Sequence, residues 1–222
     1  MRKSSELDDL AIEIIDCRKC TRLVKWREKV SVEKRAAYVT ENYWGKPIVG
    51  FGDEQAQVLV LGLAPGAHGA NRTGRVFTGD RSGDWLYRAM YKAGLASQPE
   101  SISRDDGLTL HNAWVTSAVR CAPPANKPTP GERKKCSSFL TRELAMLVNV
   151  KVIICLGSFS FQSICDELKI RPRPKFGHGV VVNHDEYKIV CSYHPSQQNT
   201  FTGKLTEKMF DGIFKIALKL AR

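Results

Sequence analysis

Short apolar runs rich in β-branched residues alternate along this chain with stretches whose apolar positions recur every three or four residues. The runs predict strands at Gln57–Leu61, His111–Val119, Lys151–Gly157, Val180–Asn183 and Tyr187–Ser192. The longer periodic stretches predict helices. The first covers Glu6–Asp16, with Leu7, Leu10, Ala11, Ile14 and Ile15 on one face and Ser5 as its cap. A second starts at an Asp80 or Ser82 cap and stops at Gly94. Thr129-Pro130-Gly131-Glu132 reads as a capping box with proline at the first helical position. That helix runs to about Val148, with Cys136, Leu140, Leu144, Leu147 and Val148 on one face. Ser158 caps a helix to about Leu168, and a last amphipathic helix covers Leu205–Leu220. Strands alternating with helices imply an α/β fold: one three-layer α/β/α domain over residues 1–222, with a mostly parallel central sheet.

Three segments then leave strand ends on one face: 62–80, 120–128 and 192–203. In open α/β sheets, ligands bind there. The first, GLAPGAHGANRTGRVFTGD, carries five glycines, which allow close backbone approach and offer bare amides. It lacks the Gly-Lys-Ser/Thr ending of a Walker loop and is too long for a dinucleotide fingerprint.

Charge narrows the partner. A net charge of +11 suggests a polyanion, most often nucleic acid, although a solvated basic surface gives the same balance. Residues 22–47 are basic and aromatic and read as a surface segment with buried anchors, or as the wall of a groove. No apolar run approaches the roughly 18 residues of a membrane span. The N-terminus lacks the apolar centre of a signal peptide, so a cytoplasmic protein is expected.

Seven cysteines, an odd number, argue against a disulfide framework. Cys155, Cys165 and Cys191 read as small core residues. Cys17-x2-Cys20 and Cys121-x14-Cys136 are two separated pairs and suit a metal centre, either zinc or [4Fe–4S].

The glycine-rich loop, the RCAPPANKP segment and YHPS, in register with the two cysteine pairs, resemble the family 5 (type B) uracil-DNA glycosylases. The resemblance covers residues 17 to about 204 in the right order. It implies a core sheet of four parallel strands, a [4Fe–4S] cluster on Cys17, Cys20, Cys121 and Cys136, and DNA carrying uracil or deaminated bases as substrate. It also implies excision of the flipped base, including other damaged bases such as hypoxanthine, with an abasic site left behind. His194 then donates a hydrogen bond to the departing base, Asp80 holds water or stabilises the sugar cation, and Asn126 is a second polar active-site residue. Phe77 stacks on the base, the backbone of Gly62, Leu63, Ala64, Pro65 and Gly66 reads its edge, and Ser196 belongs to the YHPS loop. His68, Asn71 and Arg72 line the loop, with Arg72 or Arg75 on phosphate, and residues 197–202 enter the duplex.

Two departures stand out. Where many relatives in the superfamily place an Asp or Asn in the first loop, this chain has Ala64, a difference by which family 5 is partly recognised. Where family 4 places its base-reading Asn, this chain has the shorter Ser117, which loosens uracil readout. Taken alone, His194 reads as structural, Asp80 as a helix cap and Asn126 as a turn residue. A non-catalytic iron–sulfur module that binds nucleic acid is the alternative function. A zinc hydrolase is the other, but four cysteines leave zinc no open position. A monomer associated with the nucleoid is expected. A sliding clamp is kept as a candidate partner, although no convincing motif for one is present.

Overall fold

A computed structural model describes residues 6–222. The chain opens with helices α1 (Glu6–Ile15) and α2 (Thr21–Glu33), then a short strand β1 (Phe51–Gly52) and strand β2 (Val58–Gly62). A single helical turn α3 (Ala70–Thr73) and helix α4 (Arg81–Lys92) follow, then β3 (Ala113–Ser117), α5 (Pro130–Met146), β4 (Val152–Leu156) and α6 (Ser158–Glu167). A hairpin of β5 (Val181–His184) and β6 (Tyr187–Ser192), a short α7 (Gln197–Phe201) and a long α8 (Glu207–Ala221) complete the chain.

The six strands form one sheet in the order β1-β3-β2-β4-β6-β5. The four central strands are parallel, and the two edge strands pair antiparallel. Period-two alternation divides the core. Val58 and Val60 pack with Val115, Ile154, Leu86, Met90, Phe210 and Phe214 on the face covered by α4 and α8. Leu59 and Leu61 pack with Ile153, Leu140, Leu144, Phe161 and Ile164 on the face covered by α5 and α6. Both faces are dry, so the strands read as continuous apolar runs.

Several expectations need correction. The basic, aromatic stretch after Cys20 opens as helix α2, whose buried side is Leu23, Val24, Arg27 and Val30. The arginine at a core position interrupts the apolar pattern. Loop 62–80 contains the turn α3. Gly157, not Ser158, is the N-cap of α6, with φ of 93° and no side-chain cap. Val148 is 78% exposed and does not join the apolar face of α5, because that helix has ended two residues earlier. The expected Ser5 cap lies outside the described residues. Thr129 and Glu132 do form both bonds of the capping box, and Asp80, not Ser82, caps α4. No described helix is long and apolar enough to cross a membrane.

Candidate active site and cysteine pocket

Strands β2, β3 and β6 lie in the same parallel set, so the loops that follow them leave the same edge of the sheet. Together they wall a cleft of about 500 Å³. Leu63, Ala64, Pro65, Gly66, Phe77 and Asp80 line it from the first loop, Asn126 from the second, and His194 and Ser196 from the third. Val76, Ser82, Ala125, Gln197 and Gln198 also line it. Gln197 and Gln198 belong to the segment expected to enter the duplex and Ser82 was an alternative helix cap, whereas Val76 and Ala125 carried no expected role of their own.

Asp80 does two things. One carboxylate oxygen accepts from the Gly83 amide at 3.1 Å and caps α4. The other lies over the backbone at Gly69, where an added Cβ would fall 2.0 Å from it. Glycine there is a requirement of close approach. Burial raises the pKa of Asp80, opposed by the Gly83 and Ser82 amides and by the charge of Arg72.

Phe77 sits at φ 51°, a left-handed conformation that costs a bulky residue about 1 kcal/mol or more. Its ring covers Gly62, where a Cβ would fall 2.6 Å from ring carbons. Phe77 lines the cleft, and the His194 ring lies beside it with centroids 6.1 Å apart and 32° between planes. Burial pushes the His194 imidazole down to about 4, so it is neutral at physiological pH. Asn199 Nδ2 donates to the His194 carbonyl at 2.9 Å and Ser196 caps α7, so the short helix braces the histidine loop. Asn126 is exposed at the rim, and with Ala125 takes left-handed φ values of 55° and 51°.

Six residues expected at the ligand are placed elsewhere. Gly62 lies beneath the Phe77 ring. His68 Nδ1 shares a hydrogen bond of 3.0 Å with the Tyr43 hydroxyl. Asn71 is fully buried, and its Nδ2 donates to the Arg27 carbonyl at 3.3 Å. Ser117 is buried, and its hydroxyl donates to the Val119 carbonyl at 3.0 Å. Arg72 donates to the carbonyls of His68 and Gly79, pairs with Glu41 and lies 4.0 Å over the Tyr38 ring. Arg75 pairs with Asp106 at 2.7 Å and donates to Ser101 and Thr78. Both arginines spend their donors inside the fold, bracing the loop.

The cysteine pairs converge on a second pocket. Cys17 follows α1, Cys20 precedes α2, Cys121 follows β3 and Cys136 lies on α5, and all four line one pocket with Leu23, Val119 and Phe139. Arg27 Nη1 donates to Cys121 Sγ at 3.0 Å, and the Arg120 amide to Cys136 Sγ at 3.3 Å. Burial pushes the Cys121 thiol up to about 11 and the Cys136 thiol up to about 12. Among the described residues, no group of three or more His, Cys, Asp or Glu side chains is arranged to hold one metal ion. Cys155, Cys165 and Cys191 lie apart from this pocket, in the core between the sheet, α5 and α6.

A family model described as the Uracil DNA glycosylase superfamily matches residues 49–217. The chain is 50% identical over 212 residues to a type-5 uracil-DNA glycosylase of Mycobacterium bovis, covering 92% of this chain and 78% of that one. It is 47% identical to the type-5 enzyme of Mycobacterium leprae, covering 98% and 97% of the two chains. It is also 47% identical to that of Thermus thermophilus, covering 92% and 94%.

Proposed function

We propose that this chain, which belongs to the uracil-DNA glycosylase superfamily and to its type-5 branch, hydrolyses the bond between deoxyribose and uracil, or another deaminated base, after the nucleotide has swung out of the duplex. The observation that carries the reading is the meeting of Phe77, Asp80, Asn126 and His194, from three separate strand-end loops, in one cleft.

Breaking the glycosidic bond puts positive charge on the sugar and negative charge on the leaving base, so fixed electrostatics do most of the catalysis. The base stacks on Phe77. The backbone of Leu63–Gly66 reads its edge. His194, kept neutral by burial, donates to the base oxygen that gains charge. Asp80 faces the sugar, holds the attacking water and stabilises the cation. Asn126 at the rim contacts the flipped nucleotide. A cleft without the Ser117 side chain to read one base face accepts hypoxanthine as well as uracil.

The four-cysteine pocket suits a [4Fe–4S] cluster. Cysteines are its usual ligands, and one thiolate on each of four irons needs sulfurs spread farther apart than a single zinc ion does. In that role Cys17, Cys20, Cys121 and Cys136 join the N-terminal helices to β3 and α5, and a bound cluster supplies the cross-link that holds them. Residues 1–222 act as one glycosylase domain, working as a monomer.

Purified protein should generate alkali-labile sites in oligonucleotides carrying uracil or hypoxanthine, and Asp80→Asn should slow single-turnover excision of both bases. Asparagine caps a helix about as well as aspartate, so near-wild-type rates would reduce Asp80 to a cap. A loss confined to one base would make it a base-reading residue. Because burial raises the Asp80 pKa, the wild-type rate should fall as pH drops through a value above the usual aspartate range, and Asp80→Asn should lack that limb.

Affinity for DNA should fall steeply with salt, because neutralising phosphates releases counterions. Each phosphate neutralised adds about −0.9 to the slope of log affinity against log salt, so about four contacts cost roughly 10²-fold between 50 and 200 mM. A nearly flat dependence for non-specific duplex would remove the basic surface, net +11, from DNA binding.

A further inference from the structure

Arg27 is a buried cation that forms no ion pair among the described residues, although its charge acts at longer range on Glu28. Its side chain is 2% exposed. Nη1 donates to Cys121 Sγ at 3.0 Å, Nη2 to the Cys17 carbonyl at 3.3 Å, and Nε has no partner. No carboxylate among the described residues lies within ion-pair distance of it, whereas Arg120, equally buried, pairs with Glu143 at 2.5 Å. A guanidinium taken out of water without a counter-charge is strongly destabilising. Neutral thiols do not balance it.

The backbone of the same residue faces the other way. Asn71, fully buried, donates through Nδ2 to the Arg27 carbonyl at 3.3 Å and to the Ala67 carbonyl at 3.4 Å, and its amide bonds the Gly66 carbonyl at 3.0 Å. Gly66 and Ala67 belong to the loop that wraps the Asp80 carboxylate.

We propose that Arg27 is a positioning residue joining the two pockets: its guanidinium is the counter-charge of an anionic cysteine-held cluster, and its carbonyl, through Asn71, sets the loop beside Asp80. The proposal rests on the cluster reading above. A cation hydrogen-bonded to a ligand sulfur favours the more reduced, more negative state of the cluster. Removing that cation should lower the reduction potential.

Arg27→Gln keeps length and a donor but loses the charge. By protein-film voltammetry of the iron-loaded variant, the ratio favouring reduction should fall about tenfold, which is about 59 mV for one electron. Arg27→Lys keeps the charge and should recover part of the shift. Asn71→Ala should leave the potential unmoved, while amide exchange in residues 66–74 quickens about tenfold. In wild-type protein labelled with 15N at the guanidino nitrogens of arginine, the reduced, paramagnetic cluster should show hyperfine coupling to nitrogen, a readout that does not depend on any variant folding. Wild-type protein that binds no iron overturns the cluster reading and this proposal together. Iron-loaded wild type without nitrogen coupling, or iron-loaded Arg27→Gln at the wild-type potential, overturns this proposal alone. Unchanged exchange in Asn71→Ala overturns the link to the loop.

Discussion

His194→Ala is expected to excise uracil about 10²–10³ times more slowly in single turnover while binding DNA almost as well. In the proposed role the imidazole faces the leaving base and its hydrogen bond strengthens only as charge builds there, so its loss should fall on the chemical step rather than on affinity. Its neutrality is a consequence of position: burial pushes its pKa down to about 4, and a neutral ring can still donate. Rates therefore should not change through protonation of His194 between about pH 5 and 8. The same depression has a stability consequence. Between about 4 and the ordinary histidine value near 6.5, the unfolded chain binds a proton that the native protein refuses. The contribution is complete above that window and is lost as pH falls through it, so His194→Ala should flatten the acid side of the stability profile. A variant that loses DNA affinity in proportion to rate would instead make His194 a binding residue.

Cys136→Ser is expected to lose iron and sulfide and, with them, thermal stability. Cys136 packs beside Phe139 against Leu10 and Ile14 of α1, and it lines one pocket with Cys17, Cys20 and Cys121. Metal binding that exists only in the folded state is folding energy. At this length about 1 kcal/mol moves the melting midpoint by roughly 2–4 °C, so a loss of several kcal/mol should lower it by about 10 °C or more. Cys165→Ser is the matched control: Cys165 is also buried, but on the core-facing side of α6, apart from the pocket, and the variant should keep full iron content. Full iron in Cys136→Ser, or equal iron loss in both variants, would remove the four cysteines from cluster binding.

The sequence by itself determined the features whose causes are local. The strands that became β2 and β4 are apolar over their whole length because both faces of the sheet are covered. The caps at Asp80 and Thr129 and the stop at Gly94, with φ 74°, are decided within a few residues. The resemblance in the glycine-rich loop, RCAPPANKP and YHPS pointed to the residues that face the cleft. Tertiary structure alone decided the fate of polar groups whose partners are distant in the chain. Arg72 and Arg75 looked free for phosphate, but Glu41 and Asp106, each 31 residues away in sequence, take their charge. Helix α2 escaped notice because Arg27 stands on its buried face, and what it faces is Cys121, 94 residues on. Asn71 was expected at the ligand but lies inside, where its amide donates to the Arg27 carbonyl 44 residues back; Ser117 also lies inside, its hydroxyl taken locally by the Val119 carbonyl beside the strand end. A local pattern records what a residue prefers. Which partner satisfies a buried charge or amide depends on what the fold brings within about 3 Å.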